Sequence, residues 1–251
     1  MSGRIVFLFI FIKCIIILGD SMKLLASDYD LTFYTDDVSF NKNLEVLEEF
    51  KKNNIFVIVT GRSYNDYIST IKKEIDCDYL VVNHGATIIK NNKVIKSNLI
   101  NKDTIKKLKK IFNFDGLKYF ATSNLESRVD INYKDISKIN IEMESIEEAK
   151  KTVKYLVNHF DDIKAYTLMI HKNQIEIISK EADKMDAIEY IRKLENISKD
   201  DIYTVGDGYT DINMIENYHG YAMEYGIERL KEISEGTVSA VYELMKLIMK
   251  M

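Results

Sequence analysis

The chain has 251 residues, 46% of them hydrophobic and 29% charged, which is typical of a globular protein with one large domain or a core carrying an insert and excludes a disordered or fibrous chain. Its formal net charge is −4 at pH 7. Lysines and acidic residues are interspersed, so the sequence has no basic stripe of the kind that binds nucleic acid. The two cysteines, Cys14 and Cys77, have no paired spacing, which favours a reducing compartment, the cytoplasm, over a disulfide framework or a zinc site.

The first 21 residues are either an apolar leader or a stretch upstream of the translation start. Residues 5–18 are apolar except for Lys13, but a membrane helix needs about 20 apolar residues and a lysine within it costs about 2.5–3.5 kcal/mol. The segment Gly19-Asp20-Ser21 that follows is a poor match to a signal-peptide cleavage site. We therefore predict that translation starts at Met22, with membrane association through residues 5–18 as the alternative.

Strand and helix patterns alternate from residue 22 to residue 84. Continuous apolar runs predict buried strands, and apolar residues at helical spacing predict helices between them. This alternation predicts one half of a doubly wound, mostly parallel, Rossmann-like sheet of an α/β protein. The predicted strands are 24–27, 55–60 and 79–82, and the predicted helices lie within 43–53 and 64–71.

The pattern changes between residues 85 and 180. Asn91-Asn92 separates two short runs, which predicts a hairpin, and the rest mixes amphipathic helices with strands. A segment of about 95 residues can fold as its own domain, so we predict an inserted α+β cap domain over residues 85–180. Its predicted elements are the hairpin 86–97, helices 103–114 and 146–160, and strands 118–122, 138–142, 166–171 and 174–179.

Helix and strand patterns alternate again after the insert. Met185, Ile188 and Ile191 share one helical face, and the mostly apolar run IYTV at residues 202–205 predicts a buried strand. We therefore predict a core domain made of residues 22–84 and 181–251, interrupted in sequence by the cap. Further helices are predicted at 211–217 and 242–249, with a last strand at 221–223.

Two aspartates, Asp28 and Asp30, follow the first predicted strand in the segment DYDLT. Open α/β sheets gather ligands at the carboxyl ends of their strands. A carboxylate there can attack phosphorus, while a second acid protonates the leaving oxygen and then deprotonates water. Two like charges so close favour a bound cation, for which Mg²⁺ is suited. Taken alone, the segment is more typical of an acidic turn capped by Thr32.

Three other segments carry groups suited to the same chemistry. Thr60 and Gly61 lie in VTGR, where a hydroxyl and an amide could hold phosphoryl oxygens, although alone the segment is a strand-to-helix turn. Lys184 could neutralise charge on a transferring phosphoryl group, although a lone lysine is more often a surface residue. Asp207 and Asp211 lie in GDGYTD, an acidic loop that could approach a metal or form a structural turn.

In their order and spacing these segments resemble the haloacid dehalogenase superfamily. DYDLT, VTGR, Lys184 and GDGYTD match its four motifs in sequence, and the resemblance runs from Met22 to the C-terminus. The insert resembles the α/β cap of the Cof-type sugar-phosphatase branch. IEIISKEADKMDAI resembles the approach of that branch to its motif lysine.

The resemblance implies a role for each motif residue. Asp28 would be the catalytic nucleophile and a metal ligand, and Asp30 the catalytic acid and base that also binds the metal through its backbone carbonyl. Asp207 would be a further Mg²⁺ ligand, with Asp211 in support of the metal site. The phosphoryl group would be bound by the catalytic residues Thr60 and Lys184 and by the amides of Gly61 and Tyr29.

Three positions depart from the family pattern. Thr210 stands where the family usually has asparagine, which shortens a substrate phosphate contact or routes it through water. His84 replaces asparagine in the HGA segment at the cap junction, where a histidine could touch substrate but is more often structural. Met185 follows the motif lysine where glycine is common, which puts the expected local turn in doubt.

We therefore predict a Mg²⁺-dependent phosphatase that hydrolyses small phosphorylated metabolites, sugar phosphates first, through an aspartyl-phosphate. The cap would close over the core to exclude water, and Arg128, Tyr166 and His171 are candidate substrate contacts. Phosphomutase activity is the nearest alternative, because the same aspartyl-phosphate can pass to another hydroxyl. A non-catalytic ligand-binding module on the same scaffold is the alternative from a different class. The sequence favours neither a nucleic-acid nor a membrane partner and does not fix an oligomeric state.

Overall fold

The computed structural model describes residues 21–168 and 171–251. The predictions made for residues 1–20, as a leader or as a membrane anchor, lie outside the described residues. Within the described ranges, no helix combines the length and the apolar character that a membrane crossing requires.

The described residues form twelve strands and eight α-helices. The strands are β1 Leu24–Asp28, β2 Ile55–Val59, β3 Tyr79–Val82, β4 Thr87–Lys90, β5 Lys93–Ser97, β6 Lys118–Ser123, β7 Ile136–Glu142, β8 Ile163–Thr167, β9 Gln174–Ser179, β10 Ile202–Gly206, β11 His219–Met223 and β12 Gly236–Val238. The helices are α1 Asp37–Phe50, α2 Tyr64–Thr70, α3 Lys102–Ile111, α4 Ile146–His159, α5 Lys184–Glu195, α6 Ile212–Asn217, α7 Glu228–Ile233 and α8 Val241–Ile248.

The larger of two sheets has eight strands in the order β12-β11-β10-β1-β2-β3-β4-β5. Neighbours from β12 to β3 are parallel, and β4 and β5 are added as antiparallel strands at one edge. This is the predicted doubly wound, mostly parallel sheet. β1 lies at its centre between β2 and β10, so the carboxyl ends of these three strands meet at one edge of the sheet, where such folds bind ligands.

Helices pack on both faces of the larger sheet. Leu25 of β1 belongs to one hydrophobic cluster with Leu47 of α1, whereas Leu24 and Ala26 belong to a second cluster with Ile188 of α5. Successive strand residues point to opposite faces, so a strand covered on both sides reads as a continuous apolar run. This explains why the sequence LLAS predicts β1 correctly although its residues show no alternation.

The smaller sheet is antiparallel, with four strands in the order β6-β7-β9-β8. One of its faces packs against α3 and α4 around a separate hydrophobic cluster that includes Leu108, Ile139, Leu156 and Ile177. The insert therefore has its own core, as an α+β cap domain requires. Polar side chains of the opposite face contact the larger domain.

The hairpin of β4 and β5 belongs to the larger sheet and not, as its sequence position suggests, to the insert. β4 pairs antiparallel with β3 because residues 83–86 reverse the chain directly after β3, and so short a connection makes antiparallel neighbours. A boundary at residue 85 would separate two paired strands. We propose instead that the cap spans residues 98–180 and that the core comprises residues 22–97 and 181–251.

Other differences between prediction and structure concern short or polar segments. β8 lies at Ile163–Thr167 instead of 166–171, and its register pairs Ile163 with Ser179. The start of this strand was not predicted because polar and charged residues precede and interrupt its apolar residues. Two elements, α7 with six residues and β12 with three, were not predicted, because so few residues show no clear period. The helix α1 begins earlier than expected, since Asp36 caps its first amides.

Candidate active site

The carboxyl ends of three neighbouring strands bring the motif residues together. Asp28 is the last residue of β1, Thr60 follows β2, and Asp207 follows β10. Lys184 comes from a distant part of the sequence, as the first residue of α5. The fold thus brings together four residues that the sequence predicted to act together. They lie at the carboxyl ends of the central strands of the larger sheet and are Asp28, Thr60, Lys184 and Asp207.

A buried lysine joins two of the aspartates. Lys184 Nζ lies 2.6 Å from Asp28 Oδ1 and 2.7 Å from Asp211 Oδ1. Carboxylate oxygens of Asp28, Asp207 and Asp211 all lie within 4.8 Å of one another. Thr32 donates from its hydroxyl to Asp207 Oδ1 at 2.9 Å; the sequence predicted only a capping role for Thr32.

Burial of these groups changes their protonation. Burial raises the pKa of Asp28 well above its ordinary value, although Lys184 counteracts this. Burial likewise raises the pKa of Asp207 to about 6. Burial would lower the pKa of Lys184, but the charges of Asp211 and Asp28 raise it above its ordinary value. The raised pKa values of Asp28 and Asp207 indicate that Lys184 alone supplies too little positive charge to stabilise all of the carboxylates in their ionised form.

This charge deficit fits a divalent cation. The described acidic cluster brings three carboxylates together, and the buried ammonium of Lys184 neutralises one negative charge. Hard cations prefer carboxylate and carbonyl oxygens, and a cation held by Asp28 and Asp207 would offset the cost of burying both. The donor set therefore fits the metal that the sequence predicts.

Asp211 organises the loop that carries Asp207. Its Oδ2 accepts hydrogen bonds from the amides of Asp207 at 3.1 Å and Gly208 at 3.0 Å, while its Oδ1 accepts from Lys184. A Cβ atom at Gly206 would lie 2.5 Å from Asp211 Cγ, so this close approach requires glycine. Hydrogen bonds thus occupy both oxygens of Asp211 and fix the loop of Asp207 relative to Lys184.

The turn after β2 is held by hydrogen bonds on several sides. Thr60 Oγ1 accepts from the amide of Arg62 at 3.1 Å, and the carbonyl of Thr60 accepts from the amide of His84 at 3.1 Å. A Cβ atom at Gly61 would lie 2.2 Å from His84 Cε1, so the histidine ring fills the space next to the glycine. His84 is thus packed against the predicted phosphate-binding turn.

Asp30 lies apart from the acidic cluster and pairs with Arg62. Arg62 Nε donates to Asp30 Oδ2 at 2.7 Å and Nη2 donates to Oδ1 at 2.6 Å. This bidentate contact raises the pKa of Arg62 and is among the stronger side-chain pairs. The guanidinium also lies 5.6 Å from the centroid of the buried Tyr29 ring. Sequence reasoning gave Arg62 no role, although it is the last residue of VTGR.

A sequence model of the haloacid dehalogenase-like hydrolases matches residues 25–129 and 117–243, which together span most of the chain. The chain belongs to this family. A protein of Mycoplasma capricolum without an assigned activity is 30% identical over 242 aligned residues, covering 78% of this chain and 88% of that protein.

Solved structures with the same fold agree with the assignment of the chain to the haloacid dehalogenase-like hydrolases. A protein of Plasmodium vivax, provisionally described as a HAD/Cof-like hydrolase, superposes with a TM-score of 0.75 at 19% identity, covering 93% of this chain and 97% of that one. A haloacid dehalogenase subclass IIB sugar phosphatase superposes with a TM-score of 0.72 at 16% identity, covering 92% and 100%. The fold, including the smaller sheet of the insert, is therefore shared with these solved structures over more than nine tenths of the chain.

Two of the three positions that depart from the haloacid dehalogenase pattern, Thr210 and His84, line one cavity. Thr210 is exposed, and it lines a cavity of about 260 Å³ together with His84, Tyr166 and Lys184. Met185 lies in the first turn of α5, where its amide donates to Asp183 Oδ1 at 2.9 Å, so the capped helix needs no glycine there. The cavity thus connects the motif lysine with the cap.

The other candidate substrate contacts lie on the polar face of the cap sheet. Arg128 and His171 line a second cavity, of about 390 Å³, and the Arg128 guanidinium lies 5.2 Å from the ring centroid of Phe120. Lys138 and Glu176 of the same face reach the core. Sequence reasoning missed this pair, although an acid within the apolar strand IEIIS was a usable signal of burial with a partner.

Proposed function

We propose that this protein is a Mg²⁺-dependent phosphatase that hydrolyses small phosphorylated metabolites, sugar phosphates first, through an aspartyl-phosphate on Asp28. The observation that carries the proposal is the 2.6 Å contact between Asp28 and the buried Lys184, beside the converging carboxylates of Asp207 and Asp211. Membership of the haloacid dehalogenase-like hydrolases supports the reaction class.

In the first displacement, a carboxylate oxygen of Asp28 attacks phosphorus and the bond from phosphorus to the ester oxygen breaks. Asp30 gives a proton to the departing oxygen. In the second displacement, water attacks the same phosphorus, Asp30 takes the proton of the water, and Asp28 leaves as a carboxylate. Asp30 must leave Arg62 to do so, because both of its oxygens accept from the guanidinium in this structure.

The remaining motif residues bind the ion and the phosphoryl group in this proposal. Asp28, Asp207 and the backbone carbonyl of Asp30 would hold Mg²⁺, with Asp211 in support. Bound there, the ion would screen charge between the nucleophile and the phosphoryl oxygens. Lys184, Thr60, Thr210 and the amides of Gly61 and Tyr29 would bind those oxygens where charge develops.

A phosphatase screen with and without Mg²⁺ tests the proposed function. We expect release of inorganic phosphate from one or more sugar phosphates in a panel that also holds nucleotides and cofactor phosphates, and loss of this activity with a chelator. Formation of an isomerised product with little release of phosphate would contradict hydrolysis and show that the protein is a phosphomutase. Saturable binding of a metabolite without Mg²⁺-dependent turnover across the panel would contradict the proposal and favour a binding module.

Mg²⁺ affinity is expected to fall as the pH decreases through about 6, because burial raises the pKa of Asp207 to about 6 and the metal needs the carboxylate. Below that pH the apparent affinity should drop by about tenfold for each pH unit. The raised pKa of Asp207 has the opposite effect on folding stability, which it decreases at higher pH. Since the folded pKa exceeds the ordinary 3.8, the metal-free protein should lose stability as the pH rises from about 4 to about 6.

Calorimetric titration of Mg²⁺ at pH 5, 6 and 7.5 measures this dependence. In the Asp207→Asn variant the group cannot titrate, so the step near pH 6 should disappear together with most of the affinity. Equal affinity of the unmodified protein at pH 5 and pH 7.5 would show that Asp207 does not bind the metal.

A further inference from the structure

A buried polar cluster joins the cap sheet to the core. Lys138 on β7 and Glu176 on β9 lie on the same face of the cap sheet, with Lys138 Nζ 3.4 Å from Glu176 Oε2. The Lys138 side chain is 8% exposed and that of Glu176 is 4% exposed. A buried ion pair is costly unless further hydrogen bonds satisfy it, so the other contacts of this pair indicate what it does.

Both residues contact the core next to the proposed phosphate site. Lys138 Nζ donates to the carbonyl oxygen of Gly61 at 2.9 Å. Glu176 Oε1 lies 2.9 Å from His84 Nε2 and accepts from the hydroxyl of Tyr166 at 2.5 Å. Lys138 and His84 hold the pKa of Glu176 below its ordinary value despite its burial, so Glu176 stays a carboxylate beside Lys138.

The contact with Gly61 completes the hydrogen bonding of the turn after β2. The carbonyl of Thr60 is held by the amide of His84 at 3.1 Å, and the carbonyl of Gly61 is held by Lys138 at 2.9 Å. Because each peptide unit is planar, fixing these carbonyls also fixes the directions of the amides of Gly61 and Arg62. One of the two anchors comes from the core and the other from the cap.

We infer that Lys138, oriented by Glu176, is a positioning residue through which the cap sets the geometry of the phosphate-binding turn. This inference rests on the proposed function, in which the amide of Gly61 binds a phosphoryl oxygen. When the cap lies against the core, Lys138 holds the Gly61 carbonyl and, through the planar peptide unit, the amide of Arg62 that donates to Thr60 Oγ1. When the cap moves away, that carbonyl loses its donor and the turn gains freedom. Closure of the cap and assembly of the phosphate site are therefore coupled.

The Lys138→Met variant tests the inference, with three readouts. Hydrogen exchange at the amide of Arg62, which donates to Thr60 Oγ1 and shares a peptide unit with the Gly61 carbonyl, should be at least about tenfold faster by NMR than in the unmodified protein. The Kd for inorganic phosphate in the presence of Mg²⁺ should rise about tenfold, and kcat should fall by about tenfold or more with a smaller change in KM. Lys138→Arg keeps a donor and should recover most of the loss.

Two further variants keep the test decisive. Lys151→Met changes a cap lysine whose side chain is 75% exposed and should match the unmodified protein in every readout. Glu176→Gln preserves the side-chain volume but removes the charge that orients Lys138, so Lys138 should hold the Gly61 carbonyl less firmly and the readouts should change as in Lys138→Met. If Lys138→Met does not fold, the Glu176→Gln variant decides. Normal exchange at the amide of Arg62 and normal phosphate affinity, with only a lower melting temperature, would overturn the inference. If the unmodified protein hydrolyses no phosphate ester, the proposed function fails, whereas exchange at the amide of Arg62 still decides the role of Lys138.

Discussion

Asp28→Asn is expected to lower kcat by at least about 10⁴-fold, since removal of a nucleophile that acts as part of a unit has effects of this size. The asparagine amide has the shape of the carboxylate but cannot form the acyl-phosphate. Folding should be preserved, because Lys184 keeps Asp211 as a partner at 2.7 Å and because the buried charge of Asp28 is itself unfavourable. Initial rates and thermal unfolding measured on the same preparation check both expectations.

A matched control is Asp76→Asn. The Asp76 side chain is 86% exposed and pairs with Lys51 at the surface, so the same chemical change there should leave kcat within about twofold. If Asp28→Asn kept more than about one tenth of the activity while Asp76→Asn behaved as expected, Asp28 would not be the nucleophile.

Lys184→Met should damage both catalysis and folding. Without the ammonium, the phosphoryl group loses a cation, which we expect to cost about 10³-fold in kcat. Asp28 and Asp211 then remain buried without their shared partner, which typically costs about 3–5 kcal/mol. Because the pKa of Asp28 is already raised, protonation relieves part of this cost at low pH. The loss of stability should therefore be largest at neutral pH and should shrink as the pH falls.

Denaturant unfolding without metal at pH 5 and pH 7.5 measures this effect. Lys193→Met is the control, since this lysine lies on the same helix with its side chain 67% exposed and should change stability by no more than about 0.5 kcal/mol. The double variant Lys184→Met, Asp28→Asn should recover part of the stability but no activity. Equal stability of Lys184→Met and the unmodified protein at pH 7.5 would contradict the burial argument.

The core sheet could be predicted because its strands are covered on both faces. The residues of β1, β2 and β10 are all buried and mostly apolar, and each strand ends at or next to a motif residue. Parallel strands joined by helices must place their carboxyl ends at one edge. The convergence of Asp28 and Asp207 therefore follows from their positions after strands, while their roles stay proposals.

Contacts between distant segments could not be predicted in the same way. The pairing of Asp30 with Arg62 joins two charged residues that are 32 positions apart, and no pattern in the sequence selects that pair among the other charges. Lys138 reaches Gly61 across 77 positions, and this depends on how the cap sits on the core. The hairpin of β4 and β5 illustrates the same limit, because a hairpin pattern does not reveal which sheet it joins.

Chemical trapping of the phosphorylated enzyme tests the central claim most directly. The protein is mixed with Mg²⁺ and a hydrolysed phosphate ester, quenched during turnover, and reduced with borohydride, which converts an aspartyl-phosphate into homoserine. Mass spectrometry of the peptides should then find homoserine at position 28 and at no other aspartate, and only when substrate and Mg²⁺ are both present. Turnover without any homoserine at position 28, or with homoserine at another aspartate, would contradict the account.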